Sequence, residues 1–512
     1  AFLLLGLVAL VTGGQTQESI HRFTPVIPKT WDDDAMASLE VPLANPVGSP
    51  KHVSADYYYR IPVRPIYKSY PVYAPGHEPP GYMEWLKKQE PVIVWDEGVH
   101  KPPLQTKEDW IKAGEIVFDS SIGFSRPSRG TTTVAEVQDP AWYEKTGASA
   151  AKDGTMRLAS YVIRQKGVVE VVPGGCATCH TRLMPDGSIL KGAQGNLVAP
   201  HVFAYNVRRD AGMGKDAEQA LAGFRALLKG FYAMPWLHPD PAATIGQMSA
   251  DEIASRYENF PPGVNPRHRG SALYPIQVPD LIGVKDRKYL DRTGLQQHRS
   301  IVDMMRYAAL NQGADNLANF NGFIASGGPG FDKLPDPTTR RRYSDEQLYA
   351  LALYIYSLQP PPNPNKFDAL AAQGQKIFER EGCAMCHTPP LYTNNKLTPA
   401  EGFTVPADHL KKYDILPISV GTDANLTLKT KRGTGYYKVP SLRGSWYRSM
   451  FGHSGWCATL EDWFDPRRTR EDYVPTGYKP YGVKTYAVKG HPFGLNLSAG
   501  DRNALIAFLK TL

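Results

Sequence analysis

The sequence predicts a mainly α-helical protein of two tandem helical units, with long irregular insertions and an extended N-terminal leader. Three observations predict this fold class. Four sequence blocks recur in the same order along the 512 residues. Each copy of the last block is an amphipathic helix with one apolar stripe. The 44 prolines and 46 glycines favour much irregular structure between the blocks.

The first and fourth blocks are predicted helices. A Gly-x-x-x-Phe helix segment begins at Gly114 and again at Gly374. Each closing helix follows an N-cap signature, which begins at Ser344 in the first unit and at Ser498 in the second. Residues at i, i+3, i+4 and i+7 form each apolar stripe: Leu351, Tyr354, Ile355 and Leu358, then Leu505, Phe508, Leu509 and Leu512.

The third block is a Val-Pro segment. Residues 278–283 read Val-Pro-Asp-Leu-Ile-Gly, and residues 439–444 read Val-Pro-Ser-Leu-Arg-Gly, at an offset of 161 residues. An arginine and a glycine follow each copy at the same offset: Arg287 and Gly294, then Arg448 and Gly455. A shared offset over so many positions indicates an internal duplication.

The second block decides the chemistry. Residues 176–180 read Cys-Ala-Thr-Cys-His and residues 383–387 read Cys-Ala-Met-Cys-His, which together take four of the five cysteines. This pentad is the attachment motif of c-type haem, because the two thiols each add to a haem vinyl group and the imidazole binds the iron. A thioredoxin-like pair or half a zinc site would need a βαβ context or a second ligand pair nearby, and neither is present.

The pentads therefore predict two covalently bound haem c groups. The predicted attachment residues are Cys176, Cys179, Cys383 and Cys386, and the predicted proximal iron ligands are His180 and His387. A helix before each pentad and an amphipathic helix well after it is the order of a class-I-like cytochrome c fold. We place the first such domain at 105–360, with the active-site haem, and the second at 361–512, with the electron-transfer haem. A proline-rich linker at 359–364 separates them.

The remaining segments are assigned by composition. Residues 1–20 are predicted to be the remnant of an export signal, because their apolar run is too short to span a bilayer; a buried N-terminal helix is the alternative. Residues 21–104 are a leader predicted to wrap the first domain. Its part from 51 to 104 is rich in Pro and Tyr and is predicted to form no regular core element; a disordered tail is the alternative. Residues 161–163 and 168–172 are predicted strands of a hairpin.

Charge and hydropathy limit the partners. The formal net charge is +8 and the pI is about 9.0, which suits acidic partners, but no Lys/Arg tract resembles a nucleic-acid-binding arm. After the first residues no run of 18 apolar residues occurs, so no transmembrane span is predicted. Haem attachment to thiols points to a periplasmic or secreted protein, and Cys457 alone is left over, so no internal disulfide is expected.

The sixth ligands decide what each haem does, because an electron carrier has two protein ligands whereas a haem that binds oxygen or peroxide needs an open face. His491, just before the second closing helix, is the predicted sixth ligand of the second haem; His453, Met450 and Tyr486 are its rivals. The two closing helices begin 154 residues apart, so the counterpart of His491 in the first unit is Pro337. The stretch around it, 327–342, contains neither His nor Met. The first haem is therefore predicted to be five-coordinate or weakly ligated, and reactive.

That prediction fails if His298, Met304 or Met305 binds the first iron. The same region supplies the candidate catalytic residues of the open face: His298 as a proton shuttle, with Arg299 and Arg292 as cations. A surface position for His298 next to a helix is the alternative.

The sequence resembles the bacterial di-haem cytochrome c peroxidase superfamily, which includes MauG-type enzymes and rubber oxygenases. The features that carry the resemblance are the two haem domains, the export signal, the Val-Pro run at 439–444, His-Ser-Gly at 453–455 and Ala-Thr-Leu-Glu at 458–461. The resemblance covers residues 105–512. It implies oxygen or peroxide chemistry at one haem and electron transfer through the other. The peroxidases commonly have Met near the position of His491, so a bis-His haem looks more like the rubber-oxygenase branch. A calcium ion between the domains is known in this superfamily, but no cluster of oxygen ligands in this sequence specifies one.

Three functions remain open. The leading hypothesis is an exported di-haem oxidoreductase that activates O2 or H2O2 at the N-terminal haem while the C-terminal haem relays electrons. Its expected partners are O2 or H2O2, an organic substrate, and a small redox protein. The alternatives are a di-haem electron carrier without catalytic activity, and a structural or sensor cytochrome.

Overall fold

In the computed structural model, residues 22–120, 131–212, 216–267, 271–328 and 330–512 are described. Helix covers 35% and strand 15% of the chain, so helices dominate the regular structure as predicted. The α-helices are Asp33–Ala37, Ala55–Arg60, Tyr82–Lys87, Lys107–Asp119, Val134–Val137, Pro140–Thr146, Cys176–Cys179, Ala199–Gly212, Ala217–Tyr232, Ala250–Glu258, Ile301–Asn311, Asp345–Ser357, Ala369–Arg380, His409–Lys412, Asn425–Leu428, Leu460–Trp463 and Ala499–Lys510.

Small antiparallel sheets of two or three strands accompany the helices. The strands are Ile66–Tyr67, Ser69–Tyr73, Ile93–Asp96, Val99–His100, Thr155–Gln165, Val168–Pro173, Thr181–Leu183, Ile189–Lys191, Val264–Arg267, Ser271–Gln277, Tyr289–Leu290, Gln296–Gln297, Asn319–Phe320, Phe323–Ile324, Leu397–Pro399 and Tyr436–Lys438. Short 3-10 helices span Ala243–Gln247, Val284–Asp286, Ala314–Leu317, Pro337–Thr339, Cys383–Met385 and Pro466–Thr469.

The predicted helices of the first and fourth blocks pack as two crossed pairs. The first opening helix (Lys107–Asp119) packs on the first closing helix (Asp345–Ser357). The second opening helix (Ala369–Arg380) packs on the second closing helix (Ala499–Lys510). The same helix pairing therefore occurs twice in the chain, while the assignment of each pair to a class-I cytochrome c domain stays a prediction.

A glycine lies at each crossing point. A Cβ atom on Gly114 would lie 2.0 Å from the Ala350 carbonyl oxygen, and one on Gly374 would lie 1.9 Å from that of Ala504. No other residue lets the two backbones approach so closely. The aromatic residue four positions after each glycine then packs on the closing helix: the rings of Phe118 and Tyr354 are 5.3 Å apart, and those of Phe378 and Phe508 are 5.4 Å apart.

Both closing helices begin at the predicted N-caps. The Ser344 side chain accepts a hydrogen bond from the Gln347 amide, and Ser498 accepts one from the Asp501 amide. Each cap satisfies a backbone donor that the helix leaves unpaired, which contributes about 1 kcal/mol. The predicted hairpin is also present, with Thr155–Gln165 antiparallel to Val168–Pro173.

The leader departs from its prediction. It contains three short helices and four strands, and Ser69–Tyr73 adds a third strand to the hairpin through Thr155–Gln165. Trp31, Tyr58 and Trp95 are buried in the same apolar cluster as the first crossed helix pair. The expectation that residues 51–104 form no regular core element is wrong, because aromatic side chains such as Tyr58 and Trp95 supply enough apolar surface to join a core.

The insertion after the first pentad forms three helices that the sequence analysis did not predict: Ala199–Gly212, Ala217–Tyr232 and Ala250–Glu258. They pack with Trp456, Cys457, Tyr478 and Val488 in one apolar cluster. This cluster joins residues from both sides of the predicted boundary at 360. Cys457 is buried there with a free thiol.

Within the ranges given above, no helix is both long and apolar enough to cross a membrane. The predicted export segment, residues 1–20, lies outside the described residues.

Candidate functional site

Both pentads fold into a single helical turn, α-helical in the first and 3-10 in the second, and both turns are closed by the same backbone hydrogen bond. The His180 amide donates to the Cys176 carbonyl oxygen at 2.9 Å, and the His387 amide donates to that of Cys383, also at 2.9 Å. One turn thus gathers two thiols and an imidazole. A second peptide segment lies against the first pentad, because a Cβ atom on Gly195 would lie 2.1 Å from the Cys179 carbonyl oxygen.

The third block places a proline carbonyl behind the second proximal histidine. His387 Nδ1 donates to the Pro440 carbonyl oxygen at 3.1 Å and lies 3.2 Å from that of Tyr392. A proton on Nδ1 leaves the Nε2 lone pair available, which is the state of the imidazole that binds a metal. Burial lowers the pKa of His387, so the ring is neutral near pH 7.

The first proximal histidine lies at the equivalent place with a weaker contact. Burial lowers the pKa of His180 to about 4, while the Pro279 carbonyl and the Asp280 charge act in the opposite direction. Nδ1 of His180 nevertheless has no full hydrogen bond to any described residue. The carbonyls of Pro279 and Pro440 explain why the Val-Pro block recurs, and the sequence analysis missed this role although it recorded the repeat.

His491, the predicted sixth ligand, faces His387 across a cavity. Their ring centres are 6.4 Å apart, and both rings line a cavity with about 1550 Å³ of empty space, its mouth included. A metal–imidazole bond of about 2 Å, with the ring centre about 1.1 Å beyond each nitrogen, places two ring centres on opposite sides of one iron about 6.3 Å apart. The observed separation therefore fits two imidazoles on one haem iron.

The loop that carries His491 is held tightly. The buried Arg468 guanidinium donates to the carbonyl oxygens of Val488 at 2.5 Å, Gly490 at 3.0 Å and His491 at 2.8 Å. His491 has a φ of 47°, a left-handed conformation that a non-glycine residue adopts only when its surroundings impose it. Arg468 is a positioning residue that sequence reasoning missed, since nothing in the sequence links it to His491.

Burial, followed by the nearby His387 and Arg468, lowers the pKa of His491 to about 3. The ring is therefore neutral at physiological pH and can serve as a ligand. Trp463 and Phe493 contact the ring, with centres 5.4 Å and 5.3 Å away.

Of the rival ligands, His453 lines the same cavity as His387 and His491, but its ring is engaged by other residues. His453 stacks on Tyr437 with ring centres 4.2 Å apart, and its Nε2 lies 3.1 Å from the Tyr437 hydroxyl. Tyr486 donates its hydroxyl to Asp423 at 3.0 Å, and Met450 packs against the apolar cluster that contains Trp456. Within the described part of the chain, the ring contact to His387 comes from His491 and not from His453 or Tyr486.

At the first pentad, no aromatic or imidazole ring of a described residue contacts His180. Cys176 borders the apolar cluster that buries Met304 and Met305, so these methionines remain rival ligands there. Gln312 Nε2 lies 3.6 Å from the Cys176 sulfur, and Oδ1 of the neighbouring Asn311 is buried without a partner among described residues.

The three candidate catalytic residues do not converge on one open face. His298 is hydrogen-bonded at both ring nitrogens, since Nδ1 donates to the Arg287 carbonyl oxygen at 2.7 Å and Nε2 accepts from the Tyr356 hydroxyl at 2.5 Å. Arg299 is half-exposed and forms an ion pair with Asp303 at 2.8 Å.

Arg292 lines the cavity of His387 and His491, so the structure places it at the second centre. His298 has no ring nitrogen left to serve as a proton shuttle without breaking a bond.

In the described ranges, no group of three or more His, Cys, Asp or Glu side chains is arranged to hold a metal ion.

No family model and no curated protein matches the chain. Among solved structures, the chain is similar to the hydrazine synthase of Kuenenia stuttgartiensis pressurised with xenon, at 17% identity and a TM-score of 0.29, over 60% of this chain and 92% of that one. It is also similar to a MauG-like protein associated with microbial copper homeostasis, at 13% identity and a TM-score of 0.27, over 46% of this chain and 73% of that one. Likeness at this level assigns neither a fold nor a function.

Proposed function

We propose that the chain is an exported di-haem c-type oxidoreductase that activates O2 or H2O2 at the haem on His180, while the haem on His387 relays electrons. The observation that carries the proposal is the difference between the two proximal histidines. His491 faces His387 at a distance that suits one iron between them, whereas no ring of a described residue contacts His180.

The residues that would hold the two groups are those of the pentads. Cys176 and Cys179 would form thioethers with the first haem, and Cys383 and Cys386 with the second. When bound, a haem iron with an open face supplies oxygen or peroxide chemistry, and one with two strong ligands supplies electron transfer.

The protein's own contribution at the second centre is a fixed ligand pair. Pro440 sets the tautomer of His387 through its carbonyl oxygen, and Arg468 fixes the loop of His491. Two ligands held by separate rigid contacts limit rearrangement when an electron arrives, which favours electron transfer.

At the first centre the contribution is an apolar wall beside the pentad. Met304, Met305 and Leu310 are buried in the cluster that Cys176 borders, and an apolar wall excludes water from a reactive iron. An organic substrate and a small redox protein are the further partners that this function requires.

One observation favours a second candidate function. Met304 and Met305 are buried next to the first pentad, and a thioether sulfur on the first iron would close it. The chain would then be a di-haem electron carrier without catalytic activity.

The test compares two double variants, C176A/C179A and C383A/C386A, after haem content shows two haems per wild-type chain. We expect C176A/C179A to abolish H2O2-dependent oxidation of an electron-donating dye, because the open centre is gone. We expect C383A/C386A to retain the first haem and to lose only the supply of electrons from a protein donor. Full dye oxidation by C176A/C179A would overturn the proposal.

A further inference from the structure

Four cationic side chains from distant parts of the chain lie together between the two pentads. This cationic cluster consists of Arg287, Arg292, Lys438 and Arg448, which line one polar cavity. The two prolines whose carbonyls stand behind His180 and His387 line the same cavity. The cluster therefore lies beside both proximal histidines.

The cluster carries more positive than negative buried charge. Asp280 lies 3.5 Å from Arg448 Nε, and Asp291 is the other buried carboxylate that acts on the cluster. Asp286, which also acts on Arg287, is exposed to solvent. Partly buried cations in excess of their carboxylate partners are unstable unless an anion compensates them.

Some donors of the cluster have weak protein acceptors or none. Among the described residues, Nη2 of Arg448 is buried without a hydrogen bond, and its Nε has only the 3.5 Å contact to Asp280. Lys438 Nζ makes one long contact, 3.4 Å to the Tyr289 carbonyl oxygen. Arg292 donates its Nε proton to the Gln277 carbonyl oxygen at 3.2 Å. The remaining donors are therefore available to an anion.

The cations also disfavour one another. Burial, followed by repulsion from Arg448 and Arg287, lowers the pKa of Arg292 to about 9. Burial likewise lowers the pKa of Lys438 well below its usual value, followed by repulsion from Arg287 and Arg292. Each additional negative group in the cavity would relieve this repulsion.

The internal repeat shows that each half supplies an equivalent arginine. Arg448 Nη1 donates to the Ser441 carbonyl oxygen at 3.1 Å, and Arg287 Nη1 donates to the Asp280 carbonyl oxygen. Both acceptors directly follow the proline behind the proximal histidine. One arginine therefore belongs to each centre, although both line a single cavity.

The cluster is continuous with the larger cavity of the second centre. Arg292, Lys438 and Arg448 line the cavity that His387 and His491 share as well as the polar one. A planar group in the larger cavity can extend carboxylates directly to these side chains. A haem bound there would present its two propionates, and Arg binds carboxylates with charge-assisted hydrogen bonds.

We propose that the cationic cluster is one carboxylate site shared by the propionates of both haems, through which the charge of each haem acts on the other. The inference rests on the proposed function, because it needs both haems in place. Loss of one cluster cation then lowers the reduction potential of both haems, since positive charge near an iron favours its reduced form.

The test is a spectroelectrochemical titration of the holoprotein and of Lys438→Gln, which introduces the residue found at the equivalent position of the first copy, Gln277. We expect the ferrous form to be disfavoured about tenfold at each haem, which is 59 mV for one electron. The matched control is Arg443→Gln, an exposed cation of the same Val-Pro block, whose effect on each potential stays below twofold because water screens it.

A lower reduction potential at one haem alone, or at neither haem, would overturn the shared site. A change in the wild-type potentials with added inorganic phosphate at constant ionic strength would assign the cluster to an exchangeable anion and overturn it as well. If Lys438→Gln is produced without full haem content, Arg292→Gln replaces it with the same expected result. Absence of haem from the wild type would instead refute the proposed function, and haem content is measured first for that reason.

Discussion

The two centres share a scaffold and differ in the loop before each closing helix. In the second centre this loop carries His491, which faces His387. In the first, the equivalent stretch around Pro337 contacts the leader. Tyr57 donates its hydroxyl to the Pro335 carbonyl oxygen at 2.6 Å, and the Arg342 amide donates to the Pro62 carbonyl oxygen at 3.1 Å. The same crossed helix pair therefore carries two different loops, and under the proposed function the loop and its contacts decide whether a centre is closed or open.

The largest expected effect comes from removing the residue that distinguishes the centres. We expect His491→Ala to convert the second haem from low-spin to high-spin, because one of its two strong ligands is lost. The measurement is the visible and EPR spectrum of the ferric protein. His453→Ala is the control and should keep the low-spin signal; the reverse pattern would make His453 the ligand.

The loop itself is tested through Arg468. We expect Arg468→Met to lower the free energy of unfolding by about 4 kcal/mol, because several buried carbonyl oxygens lose their donor. Urea denaturation measures the loss, and weakened low-spin character before global unfolding would show that the loop moves first. Arg467→Met, which removes an exposed partner of Asp465, should change neither quantity.

The shared scaffold predicts equal effects at the two helix crossings. We expect Gly114→Ala and Gly374→Ala each to lower the free energy of unfolding by about 3 kcal/mol, because the new Cβ atom would collide with a backbone oxygen. Gly223→Ala is the control, since this helical glycine has open space around its Cβ position, and it should stabilise the protein by about 0.5–1 kcal/mol. Clearly unequal losses at the two crossings would break the structural equivalence.

The smallest effect concerns His453. At the 161-residue offset of the Val-Pro repeat, the first copy has Arg292 at this position. Burial, and then Arg292, lowers the pKa of His453 to about 3 from 6.5. The unfolded chain therefore binds a proton that the folded one does not, so stability is full above pH 6.5 and falls toward pH 3. Between pH 7 and pH 5 this group removes about 2 kcal/mol.

His453→Gln should reduce the pH dependence of the unfolding free energy by that amount, as measured by denaturation at pH 7 and pH 5. An unchanged pH dependence would mean that His453 is not held neutral by the fold.

Local features of the fold could be predicted from the sequence. The closing helices were predictable because N-caps and a 3.6-residue apolar period act within one segment, and the hairpin because its strands are adjacent in the chain. The structure of the leader was not predictable, because Trp31, Tyr58 and Trp95 are buried only by contacts with distant helices. Periodicity reports local structure and does not report which surfaces meet.

The candidate site was predictable to the same extent. The pentads and the position of His491 follow from motif and offset, since both rest on the chain order. The cationic cluster does not, because Arg292 and Lys438 meet only through tertiary structure, and neither has a sequence neighbour that indicates an anion. The Val-Pro block was visible as a repeat, but only the structure shows its carbonyl against His387.

Low-temperature EPR of the air-oxidised protein tests the difference between the two centres most directly, because ferric spin state reports whether each iron has two strong ligands. The account predicts high-spin and low-spin ferric haem in about equal amounts, with the low-spin signal lost in His491→Ala. Two low-spin haems in the wild type would contradict an open first centre and favour the electron carrier.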